Sequence, residues 1–445
     1  MGISKKIKVG YGVGAVGKDM AYALISGFLM YYYNTVLGVS ATFIGVLFMS
    51  ARIFDAFNDP LMGVIVEKTN TRFGKFRPWI MTGTLLNALV IGFMFSVPEN
   101  LSGNSLLIYI SAAYLLWGIT YTIMDIPFWS MIPAITQAGK ERETISVIGR
   151  SCAGVGFALP TALTMVLVPV LGAGNERTGF RIFAMIVAAA FVLTTLFSVF
   201  HVKEKEKVNE KSPSIKEMFR ALIQNDQALV VVVAIVMFNA SLYLTNQLAI
   251  YFFKFDIGNG ALYGLFGTVG GAAQILSMMS LPLLRKRFGC KAILRGAILT
   301  AVAGYFMLFV LGMLNIANLV LLCIAAIIIF IGFGLATVLT TIFLADTVDY
   351  GQWKNKTRNE SVIFSMQTFV VKLASAFSAL IAGIGLDMIK LDVNAVVQTA
   401  ETILGLRIIM IIFPMTGILI SLFFFMKFYH LDESKMEQIR GEIAD

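Results

Sequence analysis

A charged stripe interrupts one of the apolar stretches of the chain. Arg52, Asp55 and Asp59 are spaced i, i+3 and i+7, with Asn58 beside Asp59, so a helix would place the three charges on one face. Two carboxylates this close repel each other, and a small hard cation such as Na⁺ or Li⁺, which prefers oxygen ligands, would relieve the repulsion. The spacing therefore predicts a monovalent cation site. The alternative is a structural stripe in which Arg52 neutralises one aspartate.

A carboxylate and an aromatic ring share a helix face further along the chain. Thr122, Asp125 and Trp129 are spaced i, i+3 and i+7, with Tyr121 on the flank. A neutral sugar needs this pair, since its hydroxyls donate to a carboxylate and its C–H face packs on a ring. Arg150 could pair with the carboxylate or donate to sugar oxygens. We therefore predict a sugar pocket, the alternative for Trp129 being packing against lipid or core.

A third stripe combines hydroxyls with one lysine. Its members follow i, i+4, i+7, i+11 and i+14 and are Ser361, Ser365, Thr368, Lys372 and Ser375. Such a stripe predicts the wall of a wet cavity. Helix packing through small residues is the alternative for the serines.

Composition indicates the elements that must hold these residues. The chain has 445 residues, of which 58% are hydrophobic and 14% charged, whereas soluble domains have about 45–50% and about 25%. Twelve apolar runs are long enough to cross a bilayer as helices. They lie near 10–35, 42–66, 78–97, 105–132, 146–170, 180–201, 228–253, 261–283, 292–314, 319–345, 361–386 and 404–428. We therefore expect an all-α membrane protein in a lipid bilayer, and exclude a soluble enzyme, a disordered chain and a nucleic-acid-binding module.

The basic residues predict the orientation in the membrane. With a cytoplasmic N-terminus, 26 of the 35 Lys and Arg residues fall on the cytoplasmic side and five on the other. Because cytoplasmic loops carry the excess of Lys and Arg, both termini are expected in the cytoplasm. The net charge of +9 then marks a membrane face and not a nucleic-acid partner.

A long polar stretch divides the twelve runs into two sets of six. We expect an N-terminal bundle over residues 1–200, a cytoplasmic loop over 201–227, a C-terminal bundle over 228–430 and a cytoplasmic tail over 431–445. The basic segments at 72–75 and 287–291 have similar sequences and form a short internal repeat, called here the basic echo. Two bundles with a site between them are typical of secondary transporters.

Several motifs are distributed along the chain: Gly17-Lys18-Asp19, the run from Arg52 to Pro60, the run from Arg72 to Trp79, the run from Tyr121 to Ser130, the run from Ala345 to Gly351, Gln367-Thr368 and Val370-Val371-Lys372. Together they resemble the glycoside–pentoside–hexuronide:cation symporters of the major facilitator superfamily, and the segment at 121–130 is especially similar to the melibiose permeases. The resemblance spans essentially the whole chain. It implies the major facilitator fold, with twelve transmembrane helices in two six-helix bundles.

The resemblance also implies site residues. Its cation site for Na⁺, Li⁺ or H⁺ maps onto Asp55, Asn58, Asp59 and Thr122. Its sugar pocket maps onto Lys18, Asp19, Tyr121, Asp125, Trp129, Arg150, Thr368 and Lys372.

The function expected from this likeness is secondary active symport. A galactoside such as melibiose, or a related oligosaccharide, would enter with the cation by alternating access through the bacterial inner membrane. No cofactor is expected, the cation being a co-transported Na⁺, Li⁺ or H⁺, and the functional unit would be a monomer. No enzymatic activity is expected, since no nucleophile–base or metal constellation is visible. The alternatives are a symporter of the same family for another glycoside, a pentoside or a hexuronide, and a proton-driven exporter.

Overall fold

In the part of the chain that the structure describes, every secondary-structure element longer than a turn or an isolated β-bridge is a helix. The computed structural model describes residues 4–136, 140–202, 204, 220, 223–355, 360–393, 395 and 397–444. The first six helices are α1 (Lys5–Tyr31), α2 (Ala41–Lys68), α3 (Arg77–Phe95), α4 (Gly103–Ile135), α5 (Lys140–Leu171) and α6 (Glu176–His201). The others are α7 (Asp226–Tyr251), α8 (Ala261–Leu284), α9 (Cys290–Met313), α10 (Leu319–Asn355), α11 (Glu360–Met388), α12 (Ala400–Phe428) and α13 (Glu433–Ala444).

The predicted all-α architecture is confirmed. Each of the twelve predicted runs coincides with one of the helices α1 to α12. Among the described residues, eleven helices are long and apolar enough to cross a membrane. Of the helices α1 to α12, α2 is the one outside that set, and it carries the charged stripe. Its 28 residues would extend about 42 Å at about 1.5 Å per residue, which is enough to cross the hydrocarbon core. The tail helix α13 was missed by the sequence analysis.

The described residues form two compact units. The first contains residues 4–40 and 50–204, and the second contains residues 41–49 and 220–444. The helix α2 thus contributes its first nine residues to the second unit. There the Asp387 carboxylate accepts hydrogen bonds from the backbone N–H groups of Ala41 at 3.2 Å and Thr42 at 2.8 Å, which caps the start of α2. Most of the predicted loop over 201–227 lies outside the described residues.

Small residues set the distance between α1 and α5 in the first unit. A Cβ atom on Gly12 would lie 2.9 Å from the sulfur of Cys152, and one on Gly149 would lie 2.8 Å from the Tyr11 ring. Neither position accepts a larger residue unless its neighbour moves. Because small residues let helix backbones approach closely, α1 and α5 can bring their polar side chains to one place.

The two units share a helix ending. A π-helical turn, Tyr32–Val36, follows α1, and a second one, Phe252–Asp256, follows α7. Each leads to a glycine with positive φ, 71° at Gly38 and 77° at Gly258, a conformation that glycine adopts at low cost. The internal repeat therefore extends beyond the basic echo noted in the sequence.

A carboxylate anchor is also repeated. Residues 201–204 and 430–433 both read His-x-x-Glu. Glu204 accepts hydrogen bonds from three successive backbone N–H groups at the start of α3: Lys75 at 2.7 Å, Phe76 at 2.9 Å and Arg77 at 3.2 Å. Glu433 accepts one from Cys290 at the start of α9, at 2.7 Å. In each unit, a glutamate from the segment after the sixth helix thus holds the loop that carries the basic echo.

Candidate functional site

Lys18 is the centre of a polar cluster in the first unit. Its side chain is 3% exposed. The ammonium group donates to Asp125 Oδ1 at 2.8 Å and to the Tyr121 hydroxyl at 3.3 Å, and lies 3.0 Å from Asp19 Oδ2. One buried cation thus faces two carboxylates, and a buried charge of this kind is tolerated when it is paired and hydrogen-bonded.

The two carboxylates remain accessible. The Asp19 side chain is 17% exposed and that of Asp125 26%. Each carboxylate keeps acceptor capacity beyond its contact with Lys18, since an ionised carboxyl group offers about four lone-pair sites. The arrangement can therefore accept hydrogen bonds from the hydroxyls of a ligand.

Trp129 lies beside this cluster, next to two cations. The Lys18 ammonium is 5.0 Å from the centroid of the Trp129 ring, and the guanidinium carbon of Arg150 is 4.7 Å from it. Trp129 is half-buried and Arg150 is exposed. Cations attract the electron-rich face of an indole ring, so both contacts help to hold the ring in place. An accessible ring beside an acceptor carboxylate is the arrangement predicted for a sugar pocket.

The charged stripe on α2 is partly neutralised within its own helix. Arg52 donates to Asp55 Oδ2 at 3.2 Å, and Asp55 is 5% exposed. The alternative of an internal ion pair therefore applies to Asp55. Its other oxygen faces α4 at a glycine, because a Cβ atom on Gly118 would lie 3.2 Å from Asp55 Oδ1.

Asp59 accepts a hydrogen bond that joins α2 to α4. The Thr122 hydroxyl donates to Asp59 Oδ1 at 3.1 Å, and Asn58 beside it is half-buried. Carboxylate, hydroxyl and amide oxygens are ligands that hard cations prefer. Among the described residues, no group of three or more His, Cys, Asp or Glu residues converges into a site that could hold a metal ion.

Aromatic rings join the two groups of polar residues. The Tyr121 ring stacks on Trp117 with centroids 5.4 Å apart, and the Arg52 guanidinium lies 5.8 Å from the Trp117 ring and 5.9 Å from the Tyr22 ring. Tyr121 in turn accepts the hydrogen bond from Lys18. A continuous set of packed side chains therefore runs from the Lys18 cluster to the ion pair on α2.

The structure thus brings together most, but not all, of the predicted residues. Six predicted sugar-pocket residues lie in the first unit: Lys18, Asp19, Tyr121, Asp125, Trp129 and Arg150. Lys372 is half-buried on α11 in the second unit, as is Ser375. The side chains of Thr368, Ser361 and Ser365 lie outside the described residues.

Three aromatic residues around the site were missed. Tyr11 precedes Lys18 by seven residues, Tyr22 follows Lys18 by four, and Trp117 precedes Tyr121 by four. These separations place each on the same helix face as a predicted site residue. The signal was therefore present as helical spacing, although spacing alone does not separate a site neighbour from a core residue.

The family comparison covers nearly the whole chain. A family described as "MFS/sugar transport protein" matches residues 10–433. The uncharacterized symporter YjmB of Bacillus subtilis (strain 168) is 28% identical over 446 residues, which is 98% of this chain and 95% of that protein. The isoprimeverose transporter of Lactiplantibacillus pentosus is 27% identical, covering 84% of this chain and 78% of that protein.

A further relative and two solved structures are also similar to most of the chain. A lactose permease of Lactobacillus delbrueckii subsp. bulgaricus is 27% identical over 98% of this chain and 72% of that protein. The xylose transporter XylE from E. coli matches with a TM-score of 0.63 and 15% identity over 98% of both chains. The nucleoside transporter NupG matches with a TM-score of 0.67 and 15% identity over 96% of this chain and all of that one. These solved structures share the fold.

The family match and the helices agree with the symporter motifs in the sequence. They confirm the resemblance to the glycoside–pentoside–hexuronide:cation symporters and the expectation of a transporter instead of an enzyme. The chain, a multi-span membrane protein, belongs to the MFS/sugar transport protein family.

Proposed function

We propose that this protein is a symporter that couples the uptake of a neutral sugar to Na⁺, Li⁺ or H⁺. The observation that carries the proposal is the position of α4 between two polar groups. On successive turns of this helix, Thr122 is bonded to Asp59 and Asp125 is bonded to Lys18. One helix thus presents a side chain to the proposed cation site and another to the proposed sugar site.

The proposed sugar pocket uses Asp19, Asp125, Trp129 and Arg150. Sugar hydroxyls donate to the two carboxylates, the apolar face of the sugar packs on the Trp129 ring, and Arg150 donates to sugar oxygens. Lys18 orients both carboxylates through its contacts of 2.8 Å with Asp125 and 3.0 Å with Asp19. We assign Tyr121 to the same pocket because its hydroxyl also binds Lys18.

The charge of this pocket favours neutral sugars. Two carboxyl groups face the single ammonium group of Lys18, and this excess of acidic groups disfavours the carboxylate of a hexuronide. Arg150, exposed beside Trp129, would have to attract such a group against these two carboxylates. We therefore place neutral glycosides, with galactosides such as melibiose first, ahead of hexuronides.

The proposed cation site is formed by Asp59, Asn58, Thr122 and Asp55. Asp59 and Thr122 are joined in the structure, and a Na⁺ or Li⁺ ion would be held by their oxygens and the Asn58 amide oxygen. Asp55 would contribute Oδ1, since its Oδ2 is directed to Arg52. A proton on Asp59 could replace the ion, which explains how H⁺ could serve as an alternative coupling ion.

Coupling is proposed to pass through α4. A cation that binds Asp59 and Thr122 fixes one turn of the helix, and this orients Asp125 and Trp129 on the following turns for the sugar. Such coupling is a free energy shared by both ligands, so each must raise the affinity for the other by the same factor. Alternating access then follows if the doubly loaded and empty carriers reorient and the singly loaded carriers do not.

The names of the relatives support a saccharide substrate. They include an isoprimeverose transporter, a lactose permease and a raffinose carrier protein. At 25–27% identity they support the class of substrate and not one sugar. Thr368 and Lys372 are proposed to contribute to the pocket from α11, by family resemblance.

The setting proposed for this activity is the bacterial inner membrane. Eleven described helices can span a bilayer, and the bias of Lys and Arg supports a cytoplasmic location for both termini. A single chain carries every residue assigned to the two sites, so the functional unit is proposed to be a monomer.

Uptake into membrane vesicles tests the proposal. Vesicles that contain the protein are given an inward Na⁺, Li⁺ or H⁺ gradient and a radiolabelled panel of α- and β-galactosides, glucosides, pentosides and hexuronides. We expect a cation gradient to drive accumulation of at least one neutral sugar above its external concentration. Equal accumulation with and without every gradient would contradict symport.

A further inference from the structure

The turn of α4 that carries Trp129 lies between two prolines. Pro127 and Pro133 bracket it, and neither can donate the backbone hydrogen bond that a helix makes to the residue four positions earlier. The carbonyl groups of Ile123 and Trp129 therefore lose their ordinary helical donors. A helix segment with fewer internal bonds depends more on its neighbours for its position.

Tyr11 on α1 makes a cross-helix hydrogen bond to this segment. Its side chain is fully buried, and its hydroxyl donates to the backbone carbonyl of Phe128 at 3.1 Å. The Tyr11 ring also stacks on the Phe128 ring at 4.6 Å and meets the Trp129 ring edge-on at 6.5 Å. One tyrosine thus contacts both the backbone beside Trp129 and the indole itself.

The other side of Tyr11 is closed by α5. A Cβ atom on Gly149 would lie 2.8 Å from Tyr11 Cε1 and 3.4 Å from the Trp129 ring. Arg150, the next residue, lies over the Trp129 ring. The Tyr11 ring is therefore confined between α4 and α5 and has little room to move without displacing Trp129.

We propose that Tyr11 is a positioning residue for sugar binding: its hydroxyl fixes the Phe128–Trp129 turn, so that Trp129 faces the sugar. The inference rests on the proposed function, since it assumes that Trp129 stacks on a sugar. Tyr11 acts through Trp129 and is itself buried away from the ligand. It should therefore affect sugar affinity and leave cation binding in the absence of sugar unchanged.

The test compares Tyr11→Phe with Tyr32→Phe. Each substitution removes one buried tyrosine hydroxyl, located on α1 or in the π-helical turn that follows it, that donates to a phenylalanine backbone carbonyl at 3.1 Å. The two differ in the acceptor, because Tyr32 donates to Phe95, away from the proposed sugar pocket. Purified protein is titrated with melibiose, lactose, raffinose and isoprimeverose in Na⁺ buffer, and with Na⁺ alone. We expect Tyr11→Phe to weaken binding of the responding sugar by about 2–10-fold, with Na⁺ affinity unchanged, and Tyr32→Phe to bind both ligands as the wild type does.

A double-mutant cycle shows whether Tyr11 acts through Trp129. The variant Trp129→Phe keeps a ring for measurable sugar binding, and in that background Tyr11→Phe should change sugar affinity by less than about twofold, because the two residues are coupled. An undiminished effect in that background would overturn the inference, as would wild-type sugar affinity in Tyr11→Phe itself. If the wild type binds none of the four sugars in Na⁺ buffer and accumulates no sugar of the vesicle panel, the result contradicts the proposed function and not the role of Tyr11.

Discussion

The Thr122 hydroxyl donates a hydrogen bond of 3.1 Å to Asp59, and this contact joins α4 to α2. The contact lies one turn from Asp125, which takes part in the Lys18 cluster. A change at Asp59 is therefore transmitted to the helix that carries the proposed sugar ligands.

Removing the charge of Asp59 should uncouple the two ligands. Asp59→Asn keeps the shape of the side chain but lacks the carboxylate that attracts Na⁺ or takes up a proton. We expect loss of cation-driven sugar accumulation, with sugar exchange retained, as measured in vesicles under an imposed Na⁺ gradient. Asp392→Asn, an exposed aspartate between α11 and α12, is the matched control and should accumulate sugar normally. Normal Na⁺ stimulation in Asp59→Asn would remove this residue from the cation site.

Removing either proposed sugar contact on α4 should weaken sugar binding. Asp125→Asn eliminates an ionised acceptor, and hydrogen bonds to charged groups are strong enough that we expect about 10–100-fold weaker sugar binding. Trp129→Ala should have a comparable effect because the stacking surface is lost. Isothermal titration with the transported sugar measures both. Trp353→Phe changes an aromatic residue that bonds instead to Glu442 on the tail helix α13, and its sugar affinity should match the wild type.

Removing one charge of the Arg52–Asp55 ion pair should destabilise the protein more than removing both charges. Arg52→Gln leaves a buried Asp55 unpaired, and breaking a buried pair in this way costs about 3–5 kcal/mol. Thermal unfolding in detergent should therefore show a large fall in melting temperature for Arg52→Gln.

The double variant supplies the control for this pair. Arg52→Gln with Asp55→Asn removes both charges and should recover much of the lost melting temperature. If the double variant is less stable than either single variant, the pair does not act as the structure indicates.

The repeated glutamate anchors should differ in strength. Glu204 caps three backbone N–H groups at the start of α3, whereas Glu433 accepts one at the start of α9. A carboxylate at a helix N-terminus stabilises it by satisfying these donors and through the helix dipole, so Glu204→Gln should cost about 1–2 kcal/mol. Hydrogen exchange should speed up at the amides of residues 75–77, and Glu433→Gln should show a smaller increase at residue 290. A larger effect at Glu433 would contradict the comparison.

The sequence was sufficient to predict the apolar helices and to single out the polar residues that lie together in the first unit. Apolar length located the helices α1 to α12, because a membrane span has a fixed minimum length, whereas the polar tail helix α13 gave no such signal. Lys18 and Asp125 could be recognised because charges within spans are costly and need partners or a function, and Trp129 because it shares a helix face with Asp125. The ion pair between Arg52 and Asp55 was foreseen as an alternative, since residues three apart on a helix are neighbours.

Other features could not be predicted because they depend on long-range contacts. Glu204 and Lys75 are 129 residues apart in the chain, and nothing in either local sequence indicates the pairing. The bond from Tyr11 to the Phe128 carbonyl depends on how closely α1 and α5 pack at Gly149. The π-helical turns at Tyr32–Val36 and Phe252–Asp256 leave no composition signal, although the repeated glycines that follow them could have been noticed.

Reciprocal binding is the most direct test of cation–sugar coupling. The affinity of the purified protein for its transported sugar is measured with and without Na⁺, and its affinity for Na⁺ with and without that sugar. We predict that each ligand raises the affinity for the other by the same factor, about 5–150-fold, and that Asp59→Asn reduces this factor to one. Sugar binding that is tight but insensitive to Na⁺, Li⁺ and pH would contradict cation-coupled symport by this protein.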